Sequence, residues 1–326
     1  MKLEARRLQQ LLVCVGCLML PGLLARYVGL SEASGVVTMA CLGVLVICAR
    51  LGWRQALGGS VALALLSALA LVSQHAMVPA TALLALTAAL LGLAGRWQQQ
   101  PSFWLLMVSL VMLITDMPVP QALAGETAAR LSALLLLSCS LTTLAQSRLG
   151  TWTPATDPAA ITVQHSWRRS AAYGLMLATT TAITTPIALS HHWHTMGFWM
   201  ILSPFLVLRP HTREGWNPAL HRALGTIAGV LLVHGLALAL LPEALLRILA
   251  IVLGTGCALT ALKKGHPALF VLLLTMTTVL FNSTTTTLLL MANERLQSNA
   301  IGIGIALGVM VLAEPLERRL ARRRPG

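Results

Sequence analysis

Hydrophobic residues in this chain follow neither the alternation of a strand nor the one-sided stripe of a surface helix. They fill whole segments and stop at short polar clusters. A segment apolar on every side suits a helix surrounded by lipid, and about 20 such residues cross a bilayer at right angles. Six such helices are predicted before a linker reading T-W-T-P-A-T-D-P-A-A, at 9–29, 35–49, 56–73, 77–95, 102–116 and 127–146. Six more follow it, at 169–189, 195–208, 220–241, 244–262, 267–282 and 296–313. Several are short, so tilted, broken or re-entrant helices are expected and the total is about twelve. The first segment, behind Lys2, Arg6 and Arg7, has the outline of a signal peptide. It is read as a spanning helix because 171–189 follows Arg168 and Arg169 in the same way from mid-chain.

The two sets resemble each other. Phe103–Asp116 aligns with Leu269–Asn282, A-L-G-G-S-V (56–61) with A-L-G-T-I-A (223–228), and the run around Arg130 with the run around Arg295, always at an offset of roughly 165 residues. The predicted fold class is therefore all-α and polytopic, with two parallel six-helix repeats. The expected organisation is a first transmembrane repeat over 1–150, a cytoplasmic linker over 151–167, a second repeat over 168–316 and a basic cytoplasmic tail over 317–326.

Composition agrees. The chain is 56% hydrophobic and 10% charged, against about 25% charged in soluble domains, so most of its surface does not face water. A net charge of +13 in a soluble protein would suggest nucleic acid. Here 19 of the 23 Lys and Arg fall at segment ends on one side, leaving Arg26, Arg130, Arg247 and Arg295 on the other. By the positive-inside rule both termini are cytoplasmic, the lipid bilayer accounts for the charge pattern, and no nucleic-acid partner is expected. The expected location is a membrane crossed many times. The six cysteines lie within or beside apolar runs and read as buried small hydrophobes, the Cys14–Cys17 spacing included.

The chain contains no Walker sequence, no carboxylate pair at hydrolytic spacing and no metal-site spacing. No enzyme activity, cofactor or metal is expected. Arg130 and Arg295 stand against the charge trend, each at the predicted start of the last helix of its half. An arginine at bilayer depth costs about 2.5–3.5 kcal/mol on insertion scales and faces a cavity or a partner. Each reads either as an interfacial ion pair, Arg130 with Glu126, or as a site for a carboxylate. Of the two, Arg295 is the better candidate for such a site, because Asn299 one turn on gives a second polar group on its face. Asp116 reads as a helix-end cap or as a proton carrier for coupling. Ser203 precedes Pro204, which frees a backbone carbonyl inside a span. Arg222 joins Arg209 and Arg213 in a basic cytoplasmic rim that would gather anions. Thr179–Thr185, Thr275–Thr278 and Thr284–Thr287 are candidate path linings. His191, His192 and His194 around Trp193 read as interface residues, a metal site or a pH-responsive loop, and His234 as a packing histidine or a relay.

Trp199, the loop rich in Arg and His, the run R-A-L-G-T-I-A-G (Arg222–Gly229) and the run R-L-Q-S-N-A-I-G (Arg295–Gly302) resemble the fusaric acid resistance/aromatic acid exporter family of bacterial inner-membrane proteins. The likeness covers about 168–316. It implies efflux of small aromatic or other organic anions, driven by protons, with a periplasmic membrane fusion protein as adaptor and a homo-oligomer as a further partner. Larger members carry a soluble domain between the halves, where this chain has a short linker. The candidate substrate-binding set is Arg295, Asn299, Arg222, Ser203 and Arg130, with Asp116 for coupling. A passive organic-anion channel and a non-transporting membrane subunit that anchors a partner are the alternatives.

Overall fold

The computed structural model describes residues 16, 19–94, 100–117, 119–149, 166–191, 196–209, 215–239, 241–262 and 266–322. Among these residues the only regular elements are helices. A helical stretch at 19–27 (α1) is followed by α2 (Ser34–Leu51), α3 (Trp53–Ser73), α4 (Met77–Ala94), α5 (Gln100–Asp116) and α6 (Ala124–Leu149). Then come α7 (Trp167–Ser190), α8 (Gly197–Val207), α9 (Trp216–Leu238), α10 (Glu243–Leu262), α11 (Pro267–Asn282) and α12 (Leu288–Arg322).

The breaks between helices have local causes. Gly52, at φ +97°, ends α2 and opens α3, a backbone conformation that side chains resist. His266 caps α11, its ring Nδ1 accepting from the Ala268 amide at 3.3 Å, with Pro267 at the first helical position.

Among the described residues seven helices are long and apolar enough to cross a membrane, and three shorter apolar ones accompany them. Their outward faces are greasy. Leu231, Leu232, Ile248, Ile251, Val252 and Leu312 are all exposed, where a soluble protein would present charge. The chain is a multi-pass membrane protein, and those faces contact lipid.

The chain forms two compact units, Met1–Ala178 and Thr179–Gly326, with the boundary inside α7. In the first, α3 packs on α6, α2 on α3, α5 and α6, and α5 on α3 and α4. Its buried residues are mostly apolar, among them Leu63, Leu110, Leu113, Leu131 and Leu135, and the described ones include no buried charge. A cavity of about 460 Å³ between α3, α4 and α5 is lined by Leu63, Leu90, Phe103, Leu106 and Trp167.

In the second unit, α9 packs on α11 and α12, α8 on α12, and α10 on α11. The glycines four apart in α9 set the closest of these seams. A Cβ on Gly225 would lie 2.5 Å from the Ala268 carbonyl oxygen, and one on Gly229 would lie 3.0 Å from that of Leu272, so α9 and α11 meet backbone to backbone. A second seam joins α8 and α12. Pro204 sits inside α8 and has no amide hydrogen to give Met200 O, four residues back. Gly302 of α12 faces that carbonyl, and a Cβ there would come within 2.6 Å of it.

Candidate functional site

Three helices of the second unit bring polar side chains to one buried point. α8 presents Trp199 and Ser203, one turn apart on one face; α9 presents Arg222; α12 presents Arg295 and Asn299, again one turn apart. All five are buried, Arg295 completely.

The Arg295 guanidinium carbon lies 3.4 Å from the centre of the Trp199 ring, and that of Arg222 lies 5.8 Å from it. Arg222 also donates to Ser203 Oγ through Nε at 3.3 Å and Nη2 at 3.2 Å. Ser203 Oγ lies 2.6 Å from Trp199 O and 2.9 Å from Asn299 Oδ1, so its single proton serves one acceptor at a time. Asn299 Nδ2 donates to Arg295 O at 2.9 Å, which fixes the amide on its own helix.

The charges in this cluster are not balanced. Nε, Nη1 and Nη2 of Arg295 are all buried without a hydrogen-bond partner among the described residues, as is the Trp199 indole nitrogen. Among the described residues no carboxylate reaches ion-pairing distance of either guanidinium. Glu294 is buried beside Arg295 in sequence, but neighbouring helix positions do not face each other. Two cations therefore share one indole ring inside an apolar unit. Arginine has five donors and no acceptor, so an anion is the complement this arrangement lacks.

The structure places three sequence candidates differently from expectation. Arg222 is not on the basic rim; the helical turn that half-exposes His221 points Arg222 inward. Arg295 does not begin its helix. The apolar run Leu288–Leu290 starts α12 two turns earlier and carries the arginine into the unit. Arg130 is likewise two turns into α6, but its side chain is exposed and pairs with Glu126 at 2.5 Å. Asp116 is the last residue of α5 and accepts a hydrogen bond from Thr115 Oγ1 at 2.9 Å. Both belong to the first unit, where the sequence alignment at an offset of roughly 165 residues sets Gln55 and Leu134 against Arg222 and Asn299.

His234 Nδ1 lies 2.9 Å from Val230 O, a bond within its own helix. Thr184 and Thr278 bond back to Thr180 O and Leu274 O in the same manner, while the buried hydroxyls of Thr181, Thr185 and Thr275 have no partner among the described residues. His192, Trp193, His194 and Arg213 lie outside the described residues, as do Cys14, Cys17 and linker residues 151–165, while Trp167, expected in the linker, opens α7. Among the described residues no group of His, Cys, Asp or Glu forms a metal site.

Trp199 is the site residue that sequence reasoning did not assign a role. Its signal is the four-residue spacing to Ser203 on a helix too short to waste a buried indole.

Residues 182–309 match the sequence profile of the family described as fusaric acid resistance protein-like. Over that stretch the chain is similar to that family. The matched stretch contains all five residues of the cluster. No curated protein and no solved structure matches the chain. The matched stretch takes in α8 and α9 to α11 whole, and two helices of spanning length, α7 and α12, in part.

Proposed function

We propose that this protein is an inner-membrane permease that exports small organic acids, aromatic ones included, and that Arg295 and Arg222 receive the acid group. The carrying observation is the fully buried Arg295 guanidinium with none of its three nitrogens hydrogen-bonded. A protein that gains nothing from such a group would replace it, because an unpaired buried charge costs several kcal/mol. Trp199 stacks on the guanidinium, which keeps it oriented without supplying a counter-charge. Ser203 and Asn299 hold Arg222 and the start of the polar face of α12 in register.

Complete burial of Arg295 favours a carrier over an open pore: the site is closed in this state, so an anion enters only when the helices around it part. Protons from the periplasm are the proposed driving force, and a periplasmic adaptor the proposed route onward. The test is uptake of hydroxybenzoates into inside-out membrane vesicles with and without a pH gradient. Gradient-dependent accumulation is expected; equal, passive movement under both conditions would favour a channel, and no movement of any organic anion would end the export reading.

The two-repeat plan is part of the same proposal. It is supported by shared packing partners within each unit: α3 on α6 and α9 on α12, α2 on α6 and α8 on α12, α4 on α5 and α10 on α11. Parallel repeats of even span number put both termini on one side, and the basic loops make that side cytoplasmic. A cysteine replacing the exposed Arg209, in a background without the six native cysteines, should react with an impermeant maleimide only from the cytoplasmic side. Labelling from the periplasm would overturn the orientation.

A further inference from the structure

We infer that the preferred ligand of this site carries two negative charges at fixed separation, as a rigid dicarboxylate does, and not one. The inference rests on the anion-binding reading above and sharpens it. Arg295 and Arg222 are both buried and both without a carboxylate partner among the described residues. Each is placed against the same indole, at 3.4 Å and 5.8 Å from its centre, so the two charged carbons are no farther apart than those two distances together. The spacing is not adjustable at either end. Arg222 is tied to Ser203, which is tied across the α8–α12 seam to Asn299. Arg295 is packed on Trp199 with no exposed surface.

A monoanion satisfies one guanidinium and leaves a second positive charge buried, repelled by its neighbour and with few acceptors around it. A rigid dianion balances both, because each guanidinium presents a planar fork of donors suited to one carboxylate. The two arginines are not equivalent in this scheme. Arg295, which has no hydrogen bond to lose, takes the first acid group. Arg222, which must give up or share Ser203, reads the second and so sets the charge preference.

The experiment is calorimetric titration of the full chain in lipid nanodiscs with isophthalate, benzoate and the monomethyl ester of isophthalate, at a pH where every acid group is ionised. Isophthalate should bind about tenfold or more tighter than either monoanion. In Arg222→Gln that gap should close while benzoate still binds, and Arg222→Lys should keep a reduced gap, which separates lost charge from lost structure. Equal affinity for isophthalate and benzoate in the unaltered protein would overturn the dianion preference and leave a one-charge site. A gap that survives Arg222→Gln unchanged would also overturn it, since the second charge would then be read elsewhere. No heat with any of the three would remove the anion site itself.

Discussion

Replacing Arg295 with methionine should raise the thermal stability of the purified protein and abolish its transport. The side chain is fully buried and none of its nitrogens is hydrogen-bonded. Desolvating such a cation costs several kcal/mol, and the stacking on Trp199 at 3.4 Å returns about 2 kcal/mol. Methionine fills much of the same volume, keeps contact with the indole and carries no charge. A net gain of about 1–3 kcal/mol follows, a rise of several degrees in melting temperature. A structural arginine gives the opposite sign, because its loss would orphan the groups it pairs with. Arg130 is the control: exposed and paired with Glu126, it should change stability by about 0.5 kcal/mol or less when replaced by methionine. Thermal unfolding in detergent, followed by intrinsic fluorescence, reads all three proteins. A fall in melting temperature for Arg295→Met would show that the guanidinium is held by partners and is not waiting for one.

The second large effect has the opposite sign for stability. Gly302→Val should destabilise the protein and also stop transport. A Cβ at Gly302 would sit 2.6 Å from Met200 O and 2.8 Å from Ser203 Cβ. The carbonyl is backbone and cannot swing aside, so α8 and α12 must separate, at about 1–3 kcal/mol or more. The 2.9 Å contact between Ser203 and Asn299 lies on that seam and opens with it, which releases Arg222 from its position. Gly304, two residues on, has open space where a Cβ would go. Gly304→Ala should therefore be neutral or slightly stabilising, since alanine is favoured over glycine in a helix by about 0.5–1 kcal/mol. The same unfolding assay checks both. If Gly302→Val unfolds at the temperature of the unaltered protein, the α8–α12 seam is not as tight as the geometry states.

Much of this was legible in the sequence because a bilayer imposes few solutions: long apolar segments must be helices, and basic loops must mark their ends. The polar face of α12 was legible too, since Arg295 and Asn299 are one turn apart whatever the surroundings. Gly225 and Gly229 sit four residues apart, a spacing that suits close helix approach, and the structure supplies the partner, α11. What could not be read was depth and phase. Arg222 follows His221 in a basic stretch, and only the rotation of α9 decides which of the two points inward. Arg295 was expected at a helix start because charged residues usually mark ends. The leucines at Leu288–Leu290 moved that end two turns upstream. The pairing of Trp199 with Arg295 joins α8 to α12 across nearly a hundred residues, and no local pattern encodes such a meeting.

Pairing the two findings about Arg295 gives the sharpest comparison. Inside-out vesicles containing equal amounts of folded unaltered protein and Arg295→Met, supplied with hydroxybenzoate under a pH gradient, should differ completely. The unaltered protein accumulates the acid, and the more stable variant stays at the level of vesicles without protein. Equal accumulation by both would mean that the buried guanidinium takes no part in moving the anion.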